Sequence, residues 1–124
     1  MFRNNMKIVF ALFLVVAFNT ATAQTTQFFN IAIGDTVSDG VPEPGAGNIE
    51  NPFDKDVYTF TATAGQKVFF DALMNGIANI DVVLTDEDGA EIFRDVMRDQ
   101  GVLELTRGGT YTLTVGEDTN DQTG

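Results

Sequence analysis

Two short stretches, Val57-Tyr58-Thr59-Phe60-Thr61 and Thr110-Tyr111-Thr112-Leu113-Thr114, alternate a ring or Leu with a β-branched residue. A period of two sends successive side chains to opposite faces of an extended chain, whereas a helix would scatter the same residues around its axis. Each stretch therefore reads as a strand with one apolar face and one threonine-rich face. The same rhythm recurs in Phe29, Ile31 and Ile33, in Val68, Phe70 and Ala72, in Ile80, Val82 and Leu84, in Leu103 and Leu105, and onward to Val115.

Turn-forming residues separate these rows. Gly34-Asp35 ends the first, and a loop over 40–52 carries Pro42, Pro44, Gly45, Gly47 and Pro52. Ala64-Gly65-Gln66 turns between two rows, so 54–70 reads as an antiparallel β-unit. Asn75-Gly76 breaks the chain again, Asp88-Gly89 has the form of a hairpin turn leading into residues 90–94, and Gly108-Gly109 precedes the Tyr111 row. Seven or eight short strands with no amphipathic helix predict an all-β sandwich. The outward threonines follow from strand propensity rather than from an ice-like or ligand-binding face.

The N-terminus has a different character. Arg3 and Lys7 precede an unbroken apolar run over 8–18, and Ala21-Thr22-Ala23 follows. That order of charge, apolar run and small residues is the pattern of an export signal cleaved after Ala23. Its eleven apolar residues fall short of the roughly 20 that a membrane-spanning helix needs. No cysteine follows the run to accept a lipid anchor. The expected organisation is a signal peptide over 1–23, a short tether over 24–30 that is polar from Gln24 to Gln27, and one sandwich domain over 31–124. The exported product would be secreted, periplasmic or at the cell surface, with no membrane association after cleavage.

Losing Arg3 and Lys7 takes the net charge from −11 to about −13. So acidic a surface repels phosphate backbones and argues against nucleic acid as a partner. The chain has no histidine and no cysteine, and Ser38 is its only serine. Ser-His and Cys-His nucleophile pairs and thiolate–imidazole zinc sites are therefore excluded. Carboxylate chemistry or hard-cation binding remains, with calcium the candidate cofactor.

Four acids are the calcium candidates. Asp54 and Asp56 stand two apart at the start of a strand and point the same way once the chain is extended. The competing and favoured reading has Asp56 capping the turn and bonding loop amides. Asp118 and Asp121 belong to the oxygen-rich run Glu117-Asp118-Thr119-Asn120-Asp121, which otherwise reads as a solvated loop. Asp86-Glu87-Asp88-Gly89 begins like a calcium loop but lacks the glutamate of an EF-hand, so a hairpin turn is the expectation. Arg94, Arg98 and Arg107 read as local charge partners.

The run Asp54-Lys-Asp56-Val-Tyr58-Thr-Phe60, followed by Ala64-Gly65-Gln66-Lys-Val68, resembles the bacterial pre-peptidase C-terminal domain family. So do Gly34-Asp35, Ile80-Asp81-Val-Val-Leu84 with Asp86-Glu-Asp88-Gly89, and Gly109-Thr-Tyr111-Thr-Leu113-Thr-Val115. The resemblance runs from Ile31 to Gly124. It implies a jelly-roll-like sandwich without catalytic activity, attached to secreted peptidases and other exported bacterial enzymes. Some members act in secretion or are trimmed off, others bind collagen or polysaccharide, and some hold calcium. Two departures stand out: no peptidase domain precedes the module, and the family's final Gly-x-Tyr strand is not present by Gly124. The expectation is a sandwich one strand short, as an incomplete product or the first module of a longer protein.

The resulting expectation is an exported, non-enzymatic accessory module that stabilises, targets or attaches a partner. That partner would be a covalently linked downstream domain or an extracellular polymer. A carbohydrate- or matrix-binding module is the alternative, weakened by the absence of tryptophan and by both tyrosines lying on inward rows. A carboxylate-pair glycosidase would need two acids about 5–10 Å apart across a cleft, which a sandwich of this size rarely supplies.

Overall fold

A computed structural model describes residues 6–10, 13–14, 25–49, 53–73 and 77–117. Among these residues there is no helix, and the architecture is an all-β sandwich. The strands are β1 (Met6–Phe10), β2 (Phe13–Leu14), β3 (Thr26–Asn30), β4 (Thr36–Val37), β5 (Asn48–Ile49), β6 (Lys55–Ala62), β7 (Gln66–Ala72), β8 (Ile77–Thr85), β9 (Glu91–Met97), β10 (Leu103–Leu105) and β11 (Gly109–Glu117). One sheet has the order β3-β6-β11-β8-β9 and the facing one β10-β7-β1-β4, while β2 and β5 form a two-stranded ribbon.

The alternating rows become the core. Tyr58, Phe60, Val68, Phe70, Ala72, Ile80, Val82, Leu84, Tyr111, Leu113 and Val115 are all buried, as are Phe29 and Ile31, with Ile33 packed against them. The central strand β11 pairs antiparallel with β6 and with β8, placing Leu113 beside Tyr58 on one side and Leu84 on the other. The long edge strand β9 carries Glu91, Arg94 and Asp95, charged groups that discourage further strand pairing. The void bordered by Ile8, Phe70, Phe93 and Leu103 is only about 10 Å³, room for one water at most.

Two local expectations change, and one segment gains a second role. The strands on either side of Gly65 do not pair with each other: β6 lies in the five-stranded sheet and β7 in the four-stranded one. The turn is a corner, so the Tyr58 and Val68 rows face each other across the core instead of lying side by side. The segment read as a tether over 24–30 forms β3 from Thr26 onward, parallel to β6, with Phe29 opposite Tyr58. Its polar residues suit a sheet edge, and Phe29 supplies the apolar anchor. Finally, Met6–Phe10, inside the segment read as an export signal, lies between β7 and β4 and runs parallel to both. An apolar run is equally suited to a signal and to a strand buried on both faces. The Ala23 cleavage position itself lies outside the described residues.

Truncating Leu113 should expose the importance of the central strand. Leu113→Ala is expected to lower stability by about 2–5 kcal/mol through lost burial and a residual cavity. The outward neighbour change Thr112→Ala should cost under about 1 kcal/mol. Urea unfolding checks both: the midpoint should fall sharply only for Leu113→Ala, at an unchanged slope.

Candidate functional site

The inward row of β6 extends backward into acids. Because residues 54, 56, 58 and 60 share one face, Asp54 and Asp56 enter the same interior as Tyr58 and Phe60, and both carboxylates are buried. The Thr25 N–H donates to Asp54 Oδ1 at 2.8 Å, tying the start of β3 to β6. The Tyr58 hydroxyl donates to Asp56 Oδ2 at 2.8 Å and accepts the Gly47 N–H at 2.8 Å. A three-link chain thus runs from a loop amide through a phenol to a buried carboxylate. Burial, and next the Asp56 charge beside it, push the Tyr58 phenol well above its ordinary value. It stays a protonated donor across the physiological range.

Gly47 is fixed by its backbone. It sits at φ 69°, and a Cβ there would come within 2.5 Å of the Ser38 carbonyl carbon and oxygen. Only a residue without a side chain brings this amide to the Tyr58 hydroxyl. The expected loop-amide role is therefore split: Asp54 takes an amide directly, and Asp56 acts through Tyr58.

As a calcium site this end of β6 is incomplete. Calcium takes about six to eight oxygen ligands, and no group of three acidic residues gathers for a metal among the described residues. Asp54 and Asp56 already accept the bonds just given. On the segments around this end of β6, Gln27 Oε1 and Asn48 Oδ1 are buried with no hydrogen-bond partner. Gln27 is the register partner of Asp56, and Asn48 follows Gly47 in the chain. Asp118 and Asp121 lie outside the described residues.

The second acidic run is a turn, as expected. Asp86 Oδ1 accepts the Asp88 and Ala90 N–H groups at 2.9 Å each, and Gly89 at φ 83° completes the reversal into β9. Arg107 bonds Asp88 and lies 3.5 Å from Asp86. Arg94 pairs with Glu91 at 2.8 Å and Arg98 with Asp95 at 2.7 Å. All three arginines are local charge partners, and the exposed pairs with Glu91, Asp95 and Asp88 are each worth little to stability.

One surface feature lay hidden in the period-two reading. If Phe29 faces inward, Phe28 must face out, and it is 70% exposed. On the same face of β3, Asn30 borders an open depression of about 240 Å³ with Thr59, Thr61 and Thr110. The Thr59 hydroxyl donates to Asn30 Oδ1 at 2.7 Å. This volume is below the roughly 300–1,000 Å³ of small-molecule pockets, so the feature is a shallow surface and not a cleft.

Compared with known proteins, the chain matches no family model, no curated protein and no solved structure.

The buried chain of bonds has a pH signature. With the phenol held above 10.0 in the fold, only the unfolded chain ionises Tyr58 near that pH. Its contribution is thus full below pH 10 and is lost as the pH rises further. Tyr58→Phe is expected to cost roughly 2–3 kcal/mol at neutral pH by removing the donor to Asp56 Oδ2 and the acceptor of the Gly47 N–H. It should also flatten the alkaline fall in stability, read from denaturant midpoints between about pH 8 and about pH 11. An equally steep alkaline fall in the variant would show that Tyr58 is not the group responsible. Gly47→Ala should lose about 1–3 kcal/mol to backbone strain alone, with its clash against Ser38 added.

Proposed function

We propose that this chain is an exported, non-catalytic accessory β-sandwich, similar to the bacterial pre-peptidase C-terminal domain, that stabilises, targets or attaches a protein outside the cytoplasm. The observation that carries the reading is how its chemistry-bearing groups are spent. The paired acids of β6 and the Tyr58 hydroxyl hold loops and strands together, and the arginines answer neighbouring acids. The charge-apolar-small order of residues 1–23 supports export, and the acidity of the remainder suits solubility outside the cell. In this role the partner would be a linked domain, whereas an extracellular polymer belongs to the second reading.

A carbohydrate- or matrix-binding role is the second reading, and Phe28 favours it. An exposed ring beside a threonine- and asparagine-lined depression has the elements of a sugar platform, apolar face and polar rim together. The orphaned oxygens of Gln27 and Asn48 give this reading its calcium dependence.

Two measurements test these readings. Mass analysis of the exported product is expected to show Gln24 as the first residue, and an intact Met1 on a retained protein would rule out export by this signal. A glycan and collagen array, run with and without millimolar calcium, separates the two roles. The accessory role predicts a blank array and a melting temperature indifferent to calcium. Binding that Phe28→Ala abolishes, with a calcium-dependent rise in melting temperature, would establish the second.

A further inference from the structure

The strand β1 occupies an unusual place for a segment expected to be removed. It lies between β7 and β4, in register from Met6 opposite Val68 to Phe10 opposite Ala72. Its backbone is held at both sides: the Leu73 N–H donates to the Phe10 carbonyl at 2.7 Å, and the Val9 N–H donates to the Asp35 carbonyl at 3.2 Å. Ile8 and Phe10 are buried in the core. The Phe10 ring meets Tyr58 edge-on at 5.0 Å and Phe70 at 5.8 Å.

Taking this strand away leaves a defined gap. One long side of β7 loses its backbone partners while β10 still covers the other, and β4 loses its only neighbour in the sheet. The gap is bordered by apolar side chains: Phe70 and Ala72 on β7 and Val37 on β4 are the register partners of Ile8 and Phe10, and Tyr58 of the facing sheet meets Phe10. A chain segment satisfies both needs, whereas a small apolar molecule would leave the backbone groups unpaired.

We propose that the β7–β4 gap is a strand-acceptor slot, and that the exported module attaches to its partner by taking up an extended segment of that protein. The segment lies parallel to β7, with bulky apolar side chains at alternate positions matching Ile8 and Phe10. It carries basic residues, as the N-terminal sequence does at Arg3 and Lys7, because the module without its leader carries a charge of about −13. In the uncleaved chain β1 fills the slot and blocks it. This rests on the export reading and supplies the means of attachment that reading needs.

The test uses the full chain with a site-specific protease sequence inserted after Ala23. The chain is folded first, then nicked, and offered a fluorescent peptide of residues 3–11. The nicked chain should exchange its own N-terminal fragment for the peptide saturably, and the unnicked chain should take up none. A peptide carrying Phe10→Asp should bind at least roughly ten-fold more weakly, since its carboxylate would enter the core unpaired. Equal uptake of both peptides would overturn the proposal. So would a nicked chain that loses the fragment, stays monomeric and cooperative and binds nothing, or one that aggregates whether or not peptide is present. Aggregation on fragment release that the native peptide alone prevents would support it. The export reading is judged separately by the N-terminal mass, since an intact Met1 defeats export without altering the nicking assay.

Discussion

Tyr58 is the joint on which this sandwich closes. Its ring stacks on Phe29 at 5.2 Å within its own sheet and meets Phe10 of the facing sheet at 5.0 Å. Its hydroxyl joins the Gly47 amide to the Asp56 carboxylate. A carboxylate as buried as Asp56 is tolerable only where donors replace water, and the phenol is such a donor because it is kept from ionising. One side chain thus packs both sheets, secures the 38–49 loop and makes a buried acid acceptable. The left-handed backbone of Gly47 is the local condition for that arrangement.

What the sequence disclosed and what it concealed divide along physical lines. The face each strand buries was legible, because with a period of two a single slip would turn every apolar residue to solvent. The rows from Tyr58 to Val115 therefore read directly. The partner of each strand was not legible, since the apolar pattern of β7 is satisfied equally by β6 beside it or across the core from it. The N-terminal run was ambiguous for a related reason: continuous apolar sequence suits a signal and a buried parallel strand alike. The Asp56–Tyr58 bond did leave a trace. A spacing of two places both side chains on one face, and a tyrosine on an inward row needs a partner for its hydroxyl. The backbone partner on Gly47, eleven residues away, had no such trace. Phe28 was likewise available from parity, once Phe29 was assigned inward.

The charges of this domain shape loops more than they stabilise the fold. Arg107 closes over Asp86 and Asp88 at the β8–β9 turn, and the Tyr111 hydroxyl donates to the Arg107 carbonyl at 2.6 Å, joining that turn to β11. Arg94 and Arg98 answer acids three residues away on exposed surface. Pairs of this kind contribute at most about 1 kcal/mol each. Stability must come from the aromatic and aliphatic interior, in a chain with no cysteine to cross-link it.

That distribution determines how such a domain can make contacts. Its arginines are paired with neighbouring acids, its tyrosines are inside, and its longest described edge, β9, is lined with charge. Beyond its excess negative charge, what such a domain offers a partner is backbone and apolar surface at its sheet edges. β7 is the decisive case. It is the backbone of its sheet, with β10 covering only three residues of one side and β1 covering five of the other. Whatever lies along that second side contributes Phe10's contacts to the Tyr58 ring as well as the bonds to β7. The joint at Tyr58 and the occupancy of the β7 edge are therefore coupled: a strand there packs the phenol that holds Asp56 and the loop. Recognition at the sheet edge and integrity of the core act through the same ring.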